Sequence, residues 1–196
     1  TTITLFSNLI FKGVGRHPKT GKKKGGIKVH TVIHANEGVP SDIKFTSAAT
    51  NDSFMLKPSS LNKGDIMAMD RAYIDYEKFE ELTQRGVVYV TKLKKSLKYA
   101  INEDIMYQTP NGLMEVRLQY VTFSKQVKDG DAIIHNARIV TYVDMKKHKL
   151  VSLLTNDLTS DPDEIIAIYR QRWEIELLFK QIKQNFPLRY FYGESA

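Results

Sequence analysis

The sequence predicts an α/β fold, a mixed sheet with flanking helices and a β-rich insertion before one last long helix. Three observations carry this. Apolar runs of strand length alternate with helical stretches up to about residue 95, period-two alternation with turn signals takes over as far as Leu154, and a helical pattern then runs unbroken from Pro162 to Asn185. A chain of 196 residues with 42% hydrophobic residues can bury a sizeable core, and its length fits one domain with an insertion. On these patterns residues 1–95 with 155–190 form the core and residues 96–154 the insertion.

Thr1-Thr2-Ile3-Thr4-Leu5 is β-branched and reads as a strand already under way at the first residue. The stretch from His17 to Gly26 is polar and punctuated by glycine, hence a loop. Lys12, Arg16, Lys19, Lys22, Lys23, Lys24 and Lys28 precede Asn36 with no acidic residue among them, which matches the whole net charge of +7. Such a segment favours nucleic acid through counterion release, and it equally suits a solubilising surface loop. Ile27 to His34 alternates at period two, with His30 and His34 on the more polar face of the strand. As metal ligands these two lack a third partner, and an ordinary hydrogen-bonded role fits them better. Gly38-Val39-Pro40 reads as a turn and Ile43 to Ala48 as a third strand, so the chain opens with three consecutive antiparallel strands.

A short helix is expected from Ser53 to Leu61. Asp65 to Tyr73 follows as an apolar strand that meets a carboxylate, and its pattern implies a central place in the sheet, where ligands gather at the carboxyl ends of strands. Asp70 is well placed for chemistry there, although Asp is also a common turn or N-cap residue. Tyr76 to Arg85 reads as a helix stopped by Gly86, and Val87 to Leu93 as a buried strand whose exit carries Lys92, Lys94, Lys95 and Lys98. Beyond Leu97, the segments Met114 to Phe123, Ile133 to Tyr142 and Leu150 to Leu154 alternate, with turns at Asn111-Gly112, Asp129-Gly130 and Met145 to Lys149.

The last helix has Asp161 as N-cap, Pro162 at its first position, Glu164 where a capping box would close, and Pro187 as a stop. It would be roughly 36 Å long. Ile168, Ile175, Phe179, Ile182 and Phe186 fall within an arc of about 60° on its wheel, and Tyr169, Arg172, Glu176 and Lys183 in a second arc beside it. Helical periodicity alone reads the second arc as a solvated face with ordinary charge pairing.

Composition excludes several classes. There are no cysteines, so no disulfide or thiolate metal site. No apolar run approaches a membrane span, and Thr1 to Ile10 lacks the regions of a signal peptide, so a cytoplasmic protein is expected, nucleoid-associated if its partner is DNA.

The spacing Tyr169-x2-Arg172-x3-Glu176-x6-Lys183 resembles the Y-(2)-R-(3)-E-(6)-K signature of a large group of bacterial insertion-sequence transposases with an acidic (DDE) active site. With average residue usage such a pattern arises by chance in roughly one chain in a thousand of this length. Met69-Asp70-Arg71-Ala72-Tyr73 is similar to the same group's second catalytic Asp, and the β-rich insertion stands where theirs does, so the likeness covers nearly the whole chain. The resemblance implies a ribonuclease H-like core that performs two-metal phosphoryl transfer, with hydrolytic cleavage and then strand transfer at transposon ends. It makes Asp70 and Glu176 catalytic ligands of Mg²⁺ or Mn²⁺, gives Tyr169, Arg172 and Lys183 contacts with transposon-end DNA, and implies a homodimer on paired ends. Lys92, Lys94 and Lys95, leaving a strand beside Asp70, are candidates for holding phosphates.

Two departures accompany the likeness. The group's first catalytic Asp lies on the first strand just before threonines such as Thr1 and Thr2; none precedes Thr1, so the stretch is expected to start within or after that strand and to be inactive alone. Relatives stack an aromatic residue of the insertion on a flipped base, whereas the single Trp, Trp173, lies on the long helix, which leaves that role to a Tyr or Phe of the insertion. Two other readings stay open: a non-catalytic DNA-binding remnant, and a ribonuclease H-like nuclease that cuts without joining.

Overall fold

The computed structural model describes residues 2–4, 26–34, 37, 39–47, 56–108, 115–126 and 131–185. The basic loop from His17 to Lys24, the first part of the helix expected at Ser53 to Leu61, the turns at Asn111-Gly112 and Asp129-Gly130, Phe186 and the stop at Pro187 lie outside them. The chain divides into two compact units, Thr1–Asp52 with Trp173–Ala196, and Ser53–Arg172.

In the first unit β1 (Thr2–Thr4), β2 (Gly26–His34) and β3 (Val39–Ser47) form an antiparallel sheet in chain order, as predicted. The turn falls earlier than expected. Val39 already pairs with His34 and Pro40 with Ile33, and the register slips between Val32 and Ile33. A proline is tolerated there because β3 is an end strand of this sheet and the ladder is already irregular at a bulge. His30 is buried, its Nε2 2.8 Å from Thr46 Oγ1, and His34 is exposed. The unit also contains α3 (Trp173–Asn185).

The second unit is built on a six-stranded mixed sheet. Its strands are β4 (Ile66–Met69), β5 (Val88–Lys92), β6 (Ala100–Gln108), β7 (Glu115–Lys125), β8 (Ile133–Asp144) and β9 (Lys149–Thr155), in the spatial order β4-β5-β9-β8-β7-β6. β4 and β5 are parallel, joined through α1 (Tyr76–Gln84); every other pairing in the sheet is antiparallel. The strands of residues 96–154 thus extend the sheet that β4 and β5 begin. Among the described residues β4 is an end strand, not the central one its apolar run implied, and Ile66 is 56% exposed. Where a helix was expected before it, only a single 3-10 turn, Pro58–Ser60, is described.

Helices cover both faces of this sheet, which explains the continuous apolar runs. On one face Tyr89, Phe123, Ile139 and Leu154 pack with Phe79 and Leu82 of α1. On the other, Val90, Val140 and Leu153 pack with Ile165 and Ile166 of α2 (Pro162–Gln171). Neighbours such as Tyr89 and Val90, or Leu153 and Leu154, go to opposite clusters because a strand turns successive side chains to opposite faces. Within the first cluster the Tyr89 hydroxyl lies 2.6 Å from His135 Nε2 and His135 Nδ1 lies 2.9 Å from Glu80 Oε2. Burial pushes the His135 pKa below its ordinary value despite the carboxylate, so the ring is neutral and its Nδ1–H donates to Glu80.

α1 begins and ends where its sequence signals say. Asp75 Oδ1 accepts from Glu77 N at 3.2 Å, and the helix closes with Gly86 N donating to Thr83 O and Val87 N to Leu82 O. This paired closure needs a left-handed residue after the cap, and Gly86 has φ +70°.

The long C-terminal helix is two helices. Arg172 N donates to Tyr169 O at 3.2 Å, a tightened last turn that separates α2 from α3. Of the predicted arc, Ile168 packs in the second cluster, with Pro162, Ile165 and Ile166 as the buried face of α2. Asp161 makes no side-chain cap either, since its Oδ1 accepts from the Tyr107 hydroxyl at 3.1 Å.

Candidate active site

Parallel β4 and β5 deliver their carboxyl ends to the same end of the sheet, and Met69 pairs with Thr91, so Asp70 and Lys92 stand one residue further along each strand. Asp70 keeps an extended backbone and caps the 3-10 turn Arg71–Tyr73, its Oδ1 accepting from Ala72 N at 3.2 Å. The turn role suggested by sequence is thus filled by one oxygen. The other, Oδ2, lies 3.8 Å from Arg172 Nη1. The Arg172 side chain is 17% exposed against 51% for Asp70, and its guanidinium carbon stands 5.3 Å from the centre of the Tyr169 ring. The C-terminal turn of α2 therefore sets a cation, backed by an aromatic face, against a half-exposed carboxylate.

Of the residues singled out by sequence, Asp70, Arg172 and Tyr169 are gathered, with Lys92 at the same strand ends. Lys92 and Lys95 are exposed and Lys94 is half-buried. Glu176, half-buried, and Lys183 lie on α3 and belong to the other unit. Among the described residues no three His, Cys, Asp or Glu side chains cluster as a metal site.

Sequence reasoning missed the residues that fix where α2 starts. Arg138 of β8, only 2% exposed, donates from Nη2 to Ser160 O at 2.8 Å and lies 4.0 Å from Asp157 Oδ1. Asp157 Oδ1 accepts from Thr159 N and Ser160 N, both at 2.9 Å. Burial raises its pKa, but hydrogen bonds from Ser160 and Thr159, with Arg138 nearby, hold it below the usual carboxylate value. The Tyr120 hydroxyl reaches Leu158 O at 3.3 Å. Asn156 adds a plug at the sheet end, its side chain bonding Tyr89 N, Val87 O and Thr83 Oγ1, each at 2.9 Å. An Asp followed by Thr and Ser is a recognisable turn signal, so Asp157 could have been found. Arg138 could not, because its partners are distant in sequence.

Among curated proteins the chain is similar to a putative transposase, y4zB, of Sinorhizobium fredii, at 25% identity over 177 residues, covering 90% of this chain and 49% of the relative. A probable transposase for insertion sequence element IS5377 of Geobacillus stearothermophilus is 20% identical over 177 residues, with 89% and 45% covered. A transposase for insertion sequence element IS231F of Bacillus thuringiensis subsp. israelensis is 21% identical over 228 residues, with 91% and 46% covered. The chain spans about half the length of these relatives. No solved structure matches it. The match to the family described as transposase DDE domain runs from residue 1 to residue 193, and the chain belongs to that family.

Proposed function

We propose that this chain is the catalytic core of a DNA transposase, which cleaves strands at transposon ends and joins them to target DNA by two-metal phosphoryl transfer on a ribonuclease H-like scaffold. Membership of the transposase DDE domain family supports the reaction class. The observation that carries the assignment to residues is the meeting of Asp70, Arg172 and Tyr169 at the carboxyl ends of two parallel strands, with a carboxylate beside a guanidinium.

Asp70 and Glu176 would hold Mg²⁺ or Mn²⁺. The donor chemistry fits, because such ions prefer carboxylate oxygen and Asp70 Oδ2 is not used by the cap bond. When bound, two such ions activate an attacking water or 3′-hydroxyl and stabilise the leaving oxygen. Arg172, seated on Tyr169, orients a phosphate of the transposon end, and Lys183 neutralises another. Lys92, Lys94 and Lys95 take the backbone past the strand ends. Residues 1–95 with 155–190 act as the catalytic core, residues 96–154 as its insertion, and two copies work on paired ends.

The test uses the full-length protein with duplex DNA carrying the element's end, scored separately for binding, nicking and joining. Asp70→Asn and Glu176→Gln should each abolish nicking and joining while leaving DNA binding in place. Binding without nicking by the unaltered protein would make it a DNA-binding remnant, and nicking without joining a nuclease of another kind.

A further inference from the structure

β8 and β9 form a hairpin that the proposed chemistry does not use. Their ladder runs to the pair Asp144 and Lys149, leaving Met145-Lys146-Lys147-His148 as the connection. It is closed tightly: Asp144 Oδ1 accepts from Lys146 N at 3.1 Å, Asp144 O accepts from Lys147 N at 3.1 Å, and His148 takes a left-handed φ of 47°. Every residue from Met145 to Leu150 is exposed, including Met145 at 69% and Leu150 at 74%. Two large apolar side chains thus stand beside Lys146, Lys147 and Lys149. An ordered tip of lysines flanked by apolar side chains suits a nucleic-acid groove, where cations meet phosphates and apolar groups meet sugars and base edges.

Its position strengthens this. Lys92, the last residue of β5, pairs with Leu153, and Leu93 N donates to Ser152 O at 2.9 Å. Lys149 to Val151 therefore project past β5 at the same sheet end where Asp70 leaves β4. Lys149 is four residue steps along the strand from Leu153, so the tip stands roughly 13 Å beyond Lys92. Lys92, Lys94 and Lys95 border the same end.

We propose that the tip of the β8–β9 hairpin is a second DNA-binding site, an arm whose lysines grip duplex backbone about four nucleotides from a phosphate met by Lys92, at about 3.4 Å per nucleotide. Met145 and Leu150 press on the groove wall. The inference rests on the transposase reading and extends its DNA track from the strand ends to the hairpin.

The experiment measures affinity of the full-length protein for end-bearing duplex across a salt series. Replacing Lys146→Gln, Lys147→Gln and Lys149→Gln together should lower the slope of log affinity against log salt by about two to three, at about 0.9 per phosphate contact, and weaken binding at least tenfold near 0.1 M salt. Met145→Ser with Leu150→Ser should weaken binding with the slope unchanged. A measurement on the unaltered protein guards against misfolding: DNA should protect Lys146 and Lys149 from an amine-acetylating reagent. Wild-type slope and affinity in the triple variant, with Lys92→Gln and Lys94→Gln still weakening binding, would sink the arm and leave the transposase reading standing. Absence of protection also counts against the arm. Failure of the unaltered protein to bind the duplex would remove both.

Discussion

A guanidinium 3.8 Å from Asp70 Oδ2 opposes any cation arriving at that carboxylate. The pair is half-open to water, and such pairs contribute about 1 kcal/mol or less, so a divalent ion with a phosphate to occupy the arginine can displace it. Arg172→Gln should accordingly tighten Mn²⁺ binding to the full-length protein by up to about fivefold, the equivalent of about 1 kcal/mol, while weakening end-DNA binding. Titration of Mn²⁺ in the absence of DNA checks the first half, and weaker Mn²⁺ binding would show that Arg172 chiefly steadies Asp70. At His135 the relevant quantity is the pH dependence of stability. Its pKa is depressed in the fold from an ordinary value of 6.5, so the unfolded chain takes up the proton first. Stability is complete above about pH 6.5 and declines as pH falls from there toward the lower folded value. Denaturant unfolding from pH 7.5 to 5 should show a steeper decline for the natural protein than for His135→Gln; equal slopes would mean that His135 titrates normally.

The elements divide by how much of their fate is local. α1 is legible because Gly86 marks its end, β5 because its run is apolar and buried, and β8 and β9 because their segments alternate between turn signals. β6 carries no strand signal in the sequence: nearly all of it is exposed at the sheet's end, which leaves no alternation to see. The break at Arg172 carries no glycine or proline, so nothing in the sequence marks it. The buried face of α2 is set by Pro162, Ile165 and Ile166, which lie outside the predicted arc. Ile165, fully buried, should matter more than the arc residue Ile168. Ile165→Ala should cost about 2–5 kcal/mol and Ile168→Ala clearly less, measured by reversible denaturant unfolding.

At the scale of the molecule, Asp70 and Arg172 belong to one compact unit and Glu176 and Lys183 to the other. The four are singled out by the resemblance, through the Tyr-Arg-Glu-Lys spacing and the stretch around Asp70. The apparatus behind them was hidden, since Arg138, Tyr107 and Tyr120 act on the approach to α2 through partners 22 to 54 positions away. Under the proposed assignment Asp70→Asn alone and Glu176→Gln alone should each reduce divalent-cation binding, which calorimetry on the full-length protein measures. Loss in one variant only would remove the other carboxylate from the proposed ligand set.

β8 ties two distant points together. One end opens into the lysine-bearing turn, its middle holds Arg138 on the segment that starts α2, and hydrogen bonds to β7 and β9 run along both its sides. A tug along this strand loads many bonds in shear at once, so it yields little. A pull on the turn would therefore reach Ser160 and the start of α2 through Arg138, with little absorbed along the strand.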